Sequence, residues 1–184
     1  MSLHLALLSD TFPPDVGGLA VSAARLADGL AAHGHTVEVF APTSALRPGQ
    51  AQCSTDGPLL VWRLGAQRKA DETLAEWFDL LLTRHAEQPF DLLHAYFVAR
   101  AGFVAVYAGR TLGVPSVISA RGNDLDRAVF DPAKAAHIRY ALEHADALTA
   151  NARHLAVRAA ALAPGRQVTL VPNGVNADLF TPGP

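Results

Sequence analysis

Short, almost continuously apolar runs alternate along the chain with longer segments whose apolar residues recur at helical spacing. The runs Leu3 to Leu8, Thr36 to Ala41, Leu59 to Leu64, Asp91 to His94, Ser116 to Ser119, Ala147 to Thr149 and Gln167 to Val171 predict strands. Most lack the in–out alternation of a half-solvated strand, which points to burial on both faces. After Gly18, Leu19, Ala23, Leu26 and Leu30 form one stripe and Ser22, Arg25 and Asp28 another, predicting an amphipathic helix stopped by Gly34. A second helix is expected around Glu72 to His85, with Leu74, Trp77, Phe78 and Leu81 facing inward, and a deeply packed third around Arg100 to Leu112. Asp131-Pro132 reads as an N-cap followed by N1 of a fourth helix that turns Ile138 and Leu142 to the sheet, and Asn151 as the cap of a fifth ending at Pro164-Gly165. This succession of βα units predicts an α/β, Rossmann-like, three-layer domain with a mostly parallel sheet. The Ser-, Thr-, Gly-, Gln- and Pro-rich stretch Pro42 to Pro58 reads as a mobile loop, and no internal repeat is visible.

Composition narrows the class. At 184 residues with 50% hydrophobic and 17% charged content, the chain can bury a full core. A net charge of −2 gives no reason to expect nucleic acid as partner. One cysteine, Cys53, allows no internal disulfide and no cysteine-rich zinc site, which fits a reducing, cytoplasmic compartment. No apolar run is long enough to span a bilayer, which leaves peripheral contact with the inner membrane face as the form a membrane association would take.

Ligands of open parallel sheets collect at the carboxyl ends of the strands, and four stretches place unusual residues there. In "PPDVGGL" (Pro13 to Leu19), Gly17 and Gly18 let a ligand approach the backbone at the amino end of a helix, a setting suited to a phosphate or diphosphate. The alternative is a connection that merely needs positive φ. The stretch is no Walker loop, since no Gly-Lys-Ser/Thr follows. In "FDLLHAYF", His94 and Tyr96 offer a hydroxyl-binding or proton-transferring group, or simply a hydrogen-bonded packing histidine. In "SVISARGNDLDR", Arg121, Gly122, Asn123 and Asp124 suit phosphate or sugar hydroxyls, with a capped turn as the alternative. Asp124-Leu125-Asp126 has the form of a metal-binding Asp-x-Asp, a spacing common by chance, and no metal is expected. The fourth, Asn173-Gly174, is a turn signal that reads as a hinge.

In order and spacing, "FPPDVGGLAVSAARLADGLAAHGHTVEVFAP", "FDLLHAYF", "GVPSVISARGND", "ADALTANA" and "LVPNGVNADLF" resemble the amino-terminal domain of retaining group 1 glycosyltransferases of the GT-B fold, across nearly the whole chain. The resemblance implies transfer of a hexosyl unit from a nucleotide-diphosphate sugar to an acceptor hydroxyl, without metal or other cofactor. It implies an acceptor-side domain over residues 1–171 and the start of an interdomain linker over 172–184, leading to a carboxyl-terminal, donor-binding domain; Leu179 and Phe180, apolar residues with no following element to pack on, read either as a chain that folds back on itself or as the mark of that missing second domain. Asp15, Gly17, Gly18, Tyr96, Gly122, Asn123 and Asp124 would then bind donor or acceptor, and Arg121 and His94 would be catalytic. Many members carry histidine where this chain has Arg121; a guanidinium cannot accept a proton, so its role would be to stabilise a departing phosphate or position a hydroxyl. Two other readings stay open: a non-catalytic nucleotide-sugar or partner-binding subunit, and a GT-B sugar-nucleotide epimerase. The frequency of alanine, and of arginine over lysine, points to a bacterial source rich in G and C.

Overall fold

The computed structural model describes residues 1–67 and 69–175, with Asn123 described by its backbone alone. One sheet of eight strands forms: β1 (His4–Ser9), β2 (Thr36–Thr43), β3 (Ala51–Asp56), β4 (Leu59–Gly65), β5 (Leu92–Tyr96), β6 (Ser116–Ala120), β7 (Ala147–Ala150) and β8 (Val168–Leu170). Their spatial order is β3-β4-β2-β1-β5-β6-β7-β8, and every pairing is parallel except that of β3 with β4. The connecting helices are α1 (Gly18–Ala32), α2 (Ala70–Glu87), α3 (Arg100–Leu112), the single turn α4 (Asn123–Asp126), α5 (Pro132–His144) and α6 (Arg153–Leu162). The fold is the expected α/β Rossmann-like one, and the chain direction switches sides between β1 and β5, where a crevice opens.

The two faces of the sheet carry separate cores. On one, Leu74, Trp77 and Leu81 of α2, Val104 and Ala108 of α3, Ile138 and Leu142 of α5 and Leu155 of α6 pack on Leu93, Ala95, Ile118 and Leu148. On the other, α1 covers Leu5, Leu7, Val37, Val39 and Val61, and this second core reaches no further than Leu92 and Tyr96 of β5. That half-covered face is what leaves room for a site. Asp131 caps α5 as expected, accepting from the Ala133 amide, with Pro132 following it.

Two expectations need correction. The stretch Pro42 to Pro58 is not a loop throughout: β2 continues to Thr43, and Ala51–Asp56 is an antiparallel edge strand folded onto β4 through Gly57. All six residues of β3 are exposed, so its pairing leaves no hydrophobic signature. The apolar stripe of α1 packs on the sheet as expected, with Leu19, Leu26 and Leu30 half-buried around the fully buried Ala20, Ala23 and Ala27, whose small side chains let the helix lie close to the sheet. Residue Asn151 does not cap α6; Ala152 occupies that position, and Asn151 is freed for the cleft.

Candidate functional site

Two adjoining cavities, of about 480 and 580 Å³, open at the carboxyl ends of β1, β5, β6 and β7 and share Ser22, Tyr96, Arg121 and Asn173. The first lies at the amino end of α1, against Gly18, Leu19, Phe97, Gly122, Asp126 and Asn151. The second runs beneath α1 along the uncovered face of the sheet, floored by His94, Ser119 and Thr149 and walled by Arg25, Leu26 and the segment Val171–Gly174.

Gly17 takes φ +152°, a conformation that L side chains rarely adopt, and no side chain caps α1. The first-turn amides of α1 therefore have no side-chain cap, and the first cavity lies at the positive end of the helix dipole. A Cβ on Gly18 would meet nothing within 4 Å, so glycine is not required there by the domain's own packing. The preceding Pro13-Pro14 bond is cis, and the loop is tied down by Arg63, which donates to the Phe12 carbonyl at 2.9 Å and to the Pro13 carbonyl. Residue Asp15 faces that scaffold: it accepts from the Phe12 amide at 3.2 Å and lies 3.8 Å from Arg63, outside both cavities.

Strand alternation turns Leu93 and Ala95 into the core under α3, and Leu92, His94 and Tyr96 to the α1 side. The Tyr96 ring is 3% exposed and forms a platform on which the Arg121 guanidinium rests, 4.3 Å from the ring centroid. Arg121 Nη2 donates to Asn173 Oδ1 at 2.6 Å, so the residue read from the sequence as a hinge and the cation read as catalytic touch directly. His94 Nε2 lies 2.9 Å from Ser119 Oγ, and Ser119 Oγ lies 2.8 Å from Thr149 Oγ1, a polar ladder across three neighbouring strands. Burial, and then the Arg121 charge, push the His94 pKa down to about 4. The imidazole is neutral near pH 7, able to donate or accept a hydrogen bond but a weak base.

Asp124 does not line either cavity. It is wholly buried, and its carboxylate accepts the amides of Val98 (3.1 Å), Gly122 (3.1 Å) and Leu125 (3.0 Å). Burial raises its pKa, against the pull of those amides. Asp124 thus clamps the loop after β5 to the loop after β6, and the clamp holds two unusual backbones: Phe97 at φ +134° and Gly122 at φ +131°. A non-glycine residue at such a φ is an outlier that surrounding structure must impose. Asp126 pairs with Arg158. With Asp124 occupied by backbone amides and Asp126 by Arg158, the Asp-x-Asp spacing does not present two unoccupied carboxylates, and no cluster of metal-binding residues forms among the described residues.

Of the residues singled out from the sequence, Gly18, Tyr96, Arg121, Gly122 and Asn173 meet at the first cavity, and His94 and Gly174 join at the second. The side chain of Asn123 and residues 176–184, including Leu179 and Phe180, lie outside the described residues. Ser22, Arg25, Ser119, Thr149 and Asn151 were not anticipated as site residues, and Asp126 was weighed only as a metal ligand. A signal existed for two of them: Ser119 and Thr149 are polar interruptions of strands otherwise read as buried, and they sit in register on β6 and β7.

The Glycosyltransferase Family 4 profile matches residues 16–179, and the chain belongs to that family. The fold is that of the amino-terminal halves of GT-B glycosyltransferases. Sucrose-phosphate synthase from Thermosynechococcus elongatus aligns at TM-score 0.75 and 18% identity over 98% of this chain and 50% of its own. Anabaena Alr3699/HepE, solved in complex with UDP-glucose, aligns at TM-score 0.67 and 15% identity over 99% of this chain and 47% of its own. A putative UDP-N-acetylglucosamine 2-epimerase from Listeria monocytogenes aligns at TM-score 0.61 and 12% identity over 88% of this chain and 42% of its own. The chain thus spans about half the length of these structures. A search of curated proteins by sequence gave no match. No helix among the described residues is long and apolar enough to cross a membrane.

Proposed function

We propose that this chain is the acceptor-side domain of a glycosyltransferase that moves a hexosyl unit from a nucleotide-diphosphate sugar to an acceptor hydroxyl with retention, without a metal. Residues 172–184 would begin the linker to a carboxyl-terminal domain that binds most of the donor, and the protein would work in the cytoplasm, soluble or peripheral on the inner membrane face. The observation that carries this reading is the convergence, on one cavity, of the uncapped amino end of α1 at Gly18 and the Arg121 guanidinium. Both favour negative charge, and a nucleotide-sugar leaving group carries it.

In the reaction, the acceptor oxygen bonds to the anomeric carbon as the bond from that carbon to the diphosphate oxygen breaks, and the acceptor proton passes to the departing phosphate. Arg121 has no lone pair to take that proton. Its role is to stabilise charge gathering on the leaving oxygens, from a position set by the Tyr96 ring and Asn173. His94, neutral and joined to Ser119, binds a hydroxyl rather than acting as a strong base. The test is transfer by the full-length protein with Gly18→Leu and Arg121→Ala combined: the proposal expects a loss of at least a thousandfold, and persistence near the wild-type rate would overturn the site. Arginine in place of the family histidine favours one rival, a nucleotide-sugar-binding subunit without transfer; binding of donor with neither transfer nor donor turnover over a broad acceptor panel would establish it.

A further inference from the structure

The second cavity has an uneven charge lining. Arg25 of α1 and Arg121 at the end of β6 both border it, and among the described residues no aspartate or glutamate does. Among the described residues neither guanidinium has a carboxylate within 4.0 Å, although Arg63, Arg84, Arg100, Arg139 and Arg158 all do. Arg121 commits one N–H to Asn173, leaving the rest of its donor fork for another acceptor. The floor between the two cations is the ladder of His94, Ser119 and Thr149, where an amphiprotic imidazole and two hydroxyls suit sugar or polyol hydroxyls. Parallel strands ordinarily carry apolar side chains, and a polar ladder on a face that α1 leaves uncovered calls for a polar occupant.

We infer that the second cavity is a phosphomonoester subsite for the acceptor, with Arg25 and Arg121 gripping the phosphate and His94, Ser119 and Thr149 reading the hydroxyls beside it. The inference rests on the glycosyltransferase reading for the word acceptor, but the anion subsite itself does not. Two guanidiniums can present four or more N–H groups to three phosphate oxygens, an arrangement to which a neutral sugar offers no equivalent charge. The field of Arg121 at His94, which contributes to the lowered pKa of that ring, is the field a dianion would cancel. The phosphate could belong to a soluble sugar phosphate or to a lipid headgroup; the recognition chemistry is the same.

The experiment is a heteronuclear NMR titration of the 184-residue chain with glucose 6-phosphate, glucose, inorganic phosphate, UDP, and phosphatidylcholine vesicles with and without phosphatidic acid. Glucose 6-phosphate should bind at least tenfold more tightly than glucose, shift Arg25, Ser119 and Thr149, and raise the His94 pKa toward its ordinary value. Arg25→Ala should weaken it at least fivefold and Arg25→Lys less; Arg25 is exposed on α1, so both variants keep the fold. Arg25-dependent binding to phosphatidic acid vesicles without binding of glucose 6-phosphate would support the subsite and assign it to a lipid headgroup. Equal affinity for glucose and its phosphate, indifference to Arg25→Ala, or shifts confined to Gly17, Gly18 and Leu19 would overturn it. A full-length protein that binds glucose 6-phosphate through Arg25 but binds no nucleotide sugar would count against the transferase reading and leave the anion subsite standing.

Discussion

Arg121 Nη2 donates to Asn173 Oδ1 across 2.6 Å, joining the tip of β6 to the segment that follows β8. The same guanidinium lies over the Tyr96 ring, so one cation is held by an aromatic floor and an amide side wall. A hydrogen bond to a charged group contributes about 1.5–3 kcal/mol. In the full-length protein, Asn173→Ala should therefore lower kcat/KM about tenfold while the unfolding midpoint barely moves. Unchanged kinetics would show that Arg121 needs no support from Asn173.

The two glycines at the start of α1 should separate under substitution. Gly17→Ala forces an L residue to φ +152° and should cost about 1–3 kcal/mol of stability. A Cβ at Gly18 would meet no neighbour within 4 Å, so Gly18→Leu should leave stability within about 0.5 kcal/mol, yet block anion binding at the helix end. Urea unfolding of both variants, together with UDP titration of Gly18→Leu, checks the pair. A large stability loss at Gly18 would mean that the glycine serves the fold rather than a ligand.

Asp124 holds four backbone amides, those of Val98, Arg121, Gly122 and Leu125, and Asp124→Ala would leave them without that acceptor, at a cost of about 2–4 kcal/mol. Asp124→Asn keeps one carbonyl acceptor and should cost less. Released from the clamp, Phe97 should leave φ +134°, detectable as altered backbone shifts at Phe97 and Gly122. Loss of activity without loss of stability would return Asp124 to the list of ligand-binding residues.

The depressed His94 pKa makes a signed prediction about acid stability. Between its ordinary value of 6.5 and the folded value of about 4, the unfolded chain takes up a proton that the folded chain refuses. The contribution of His94 is complete above pH 6.5 and is lost as pH falls through that window. Arg121 acts on the ring by its charge and Ser119 by a hydrogen bond, and Arg25 and Thr149 line the same cavity. Urea midpoints at pH 7 and pH 5 should differ more for the wild type than for His94→Gln; equal differences would show that the ring titrates normally.

What the sequence disclosed follows from how each element earns its stability. Strands such as Leu3 to Leu8 and helices such as Arg100 to Leu112 bury most of their side chains, so their periodicity is written in apolar residues. The edge strand Ala51–Asp56 is held by backbone pairing alone, and the turn α4 by Asp124, so neither leaves a hydrophobic pattern. At the site, Gly18, Tyr96 and Arg121 were conspicuous because such residues rarely follow a strand without reason. Arg25 was not, because a charged residue on the polar stripe of a helix looks like one facing water, and only the missing cover over β6 to β8 makes that stripe face a cavity. Perturbed charge is not by itself a guide: burial would raise the Glu38 pKa, but hydrogen bonds from Arg84 and Trp62 and the charges of Arg84 and His4 hold it below the usual range, in a cluster that ties α2 to β2 away from the cleft.

The most direct test of the central claim is transfer of labelled glucose by the full-length protein from UDP-, ADP- or GDP-glucose to a panel of hydroxyl acceptors, in the presence of a chelator, with Gly18→Leu alongside. The account predicts chelator-resistant transfer that gives an α-linked product and falls at least a hundredfold in the variant. Donor binding without transfer, or conversion of the nucleotide sugar with no acceptor present, would contradict it.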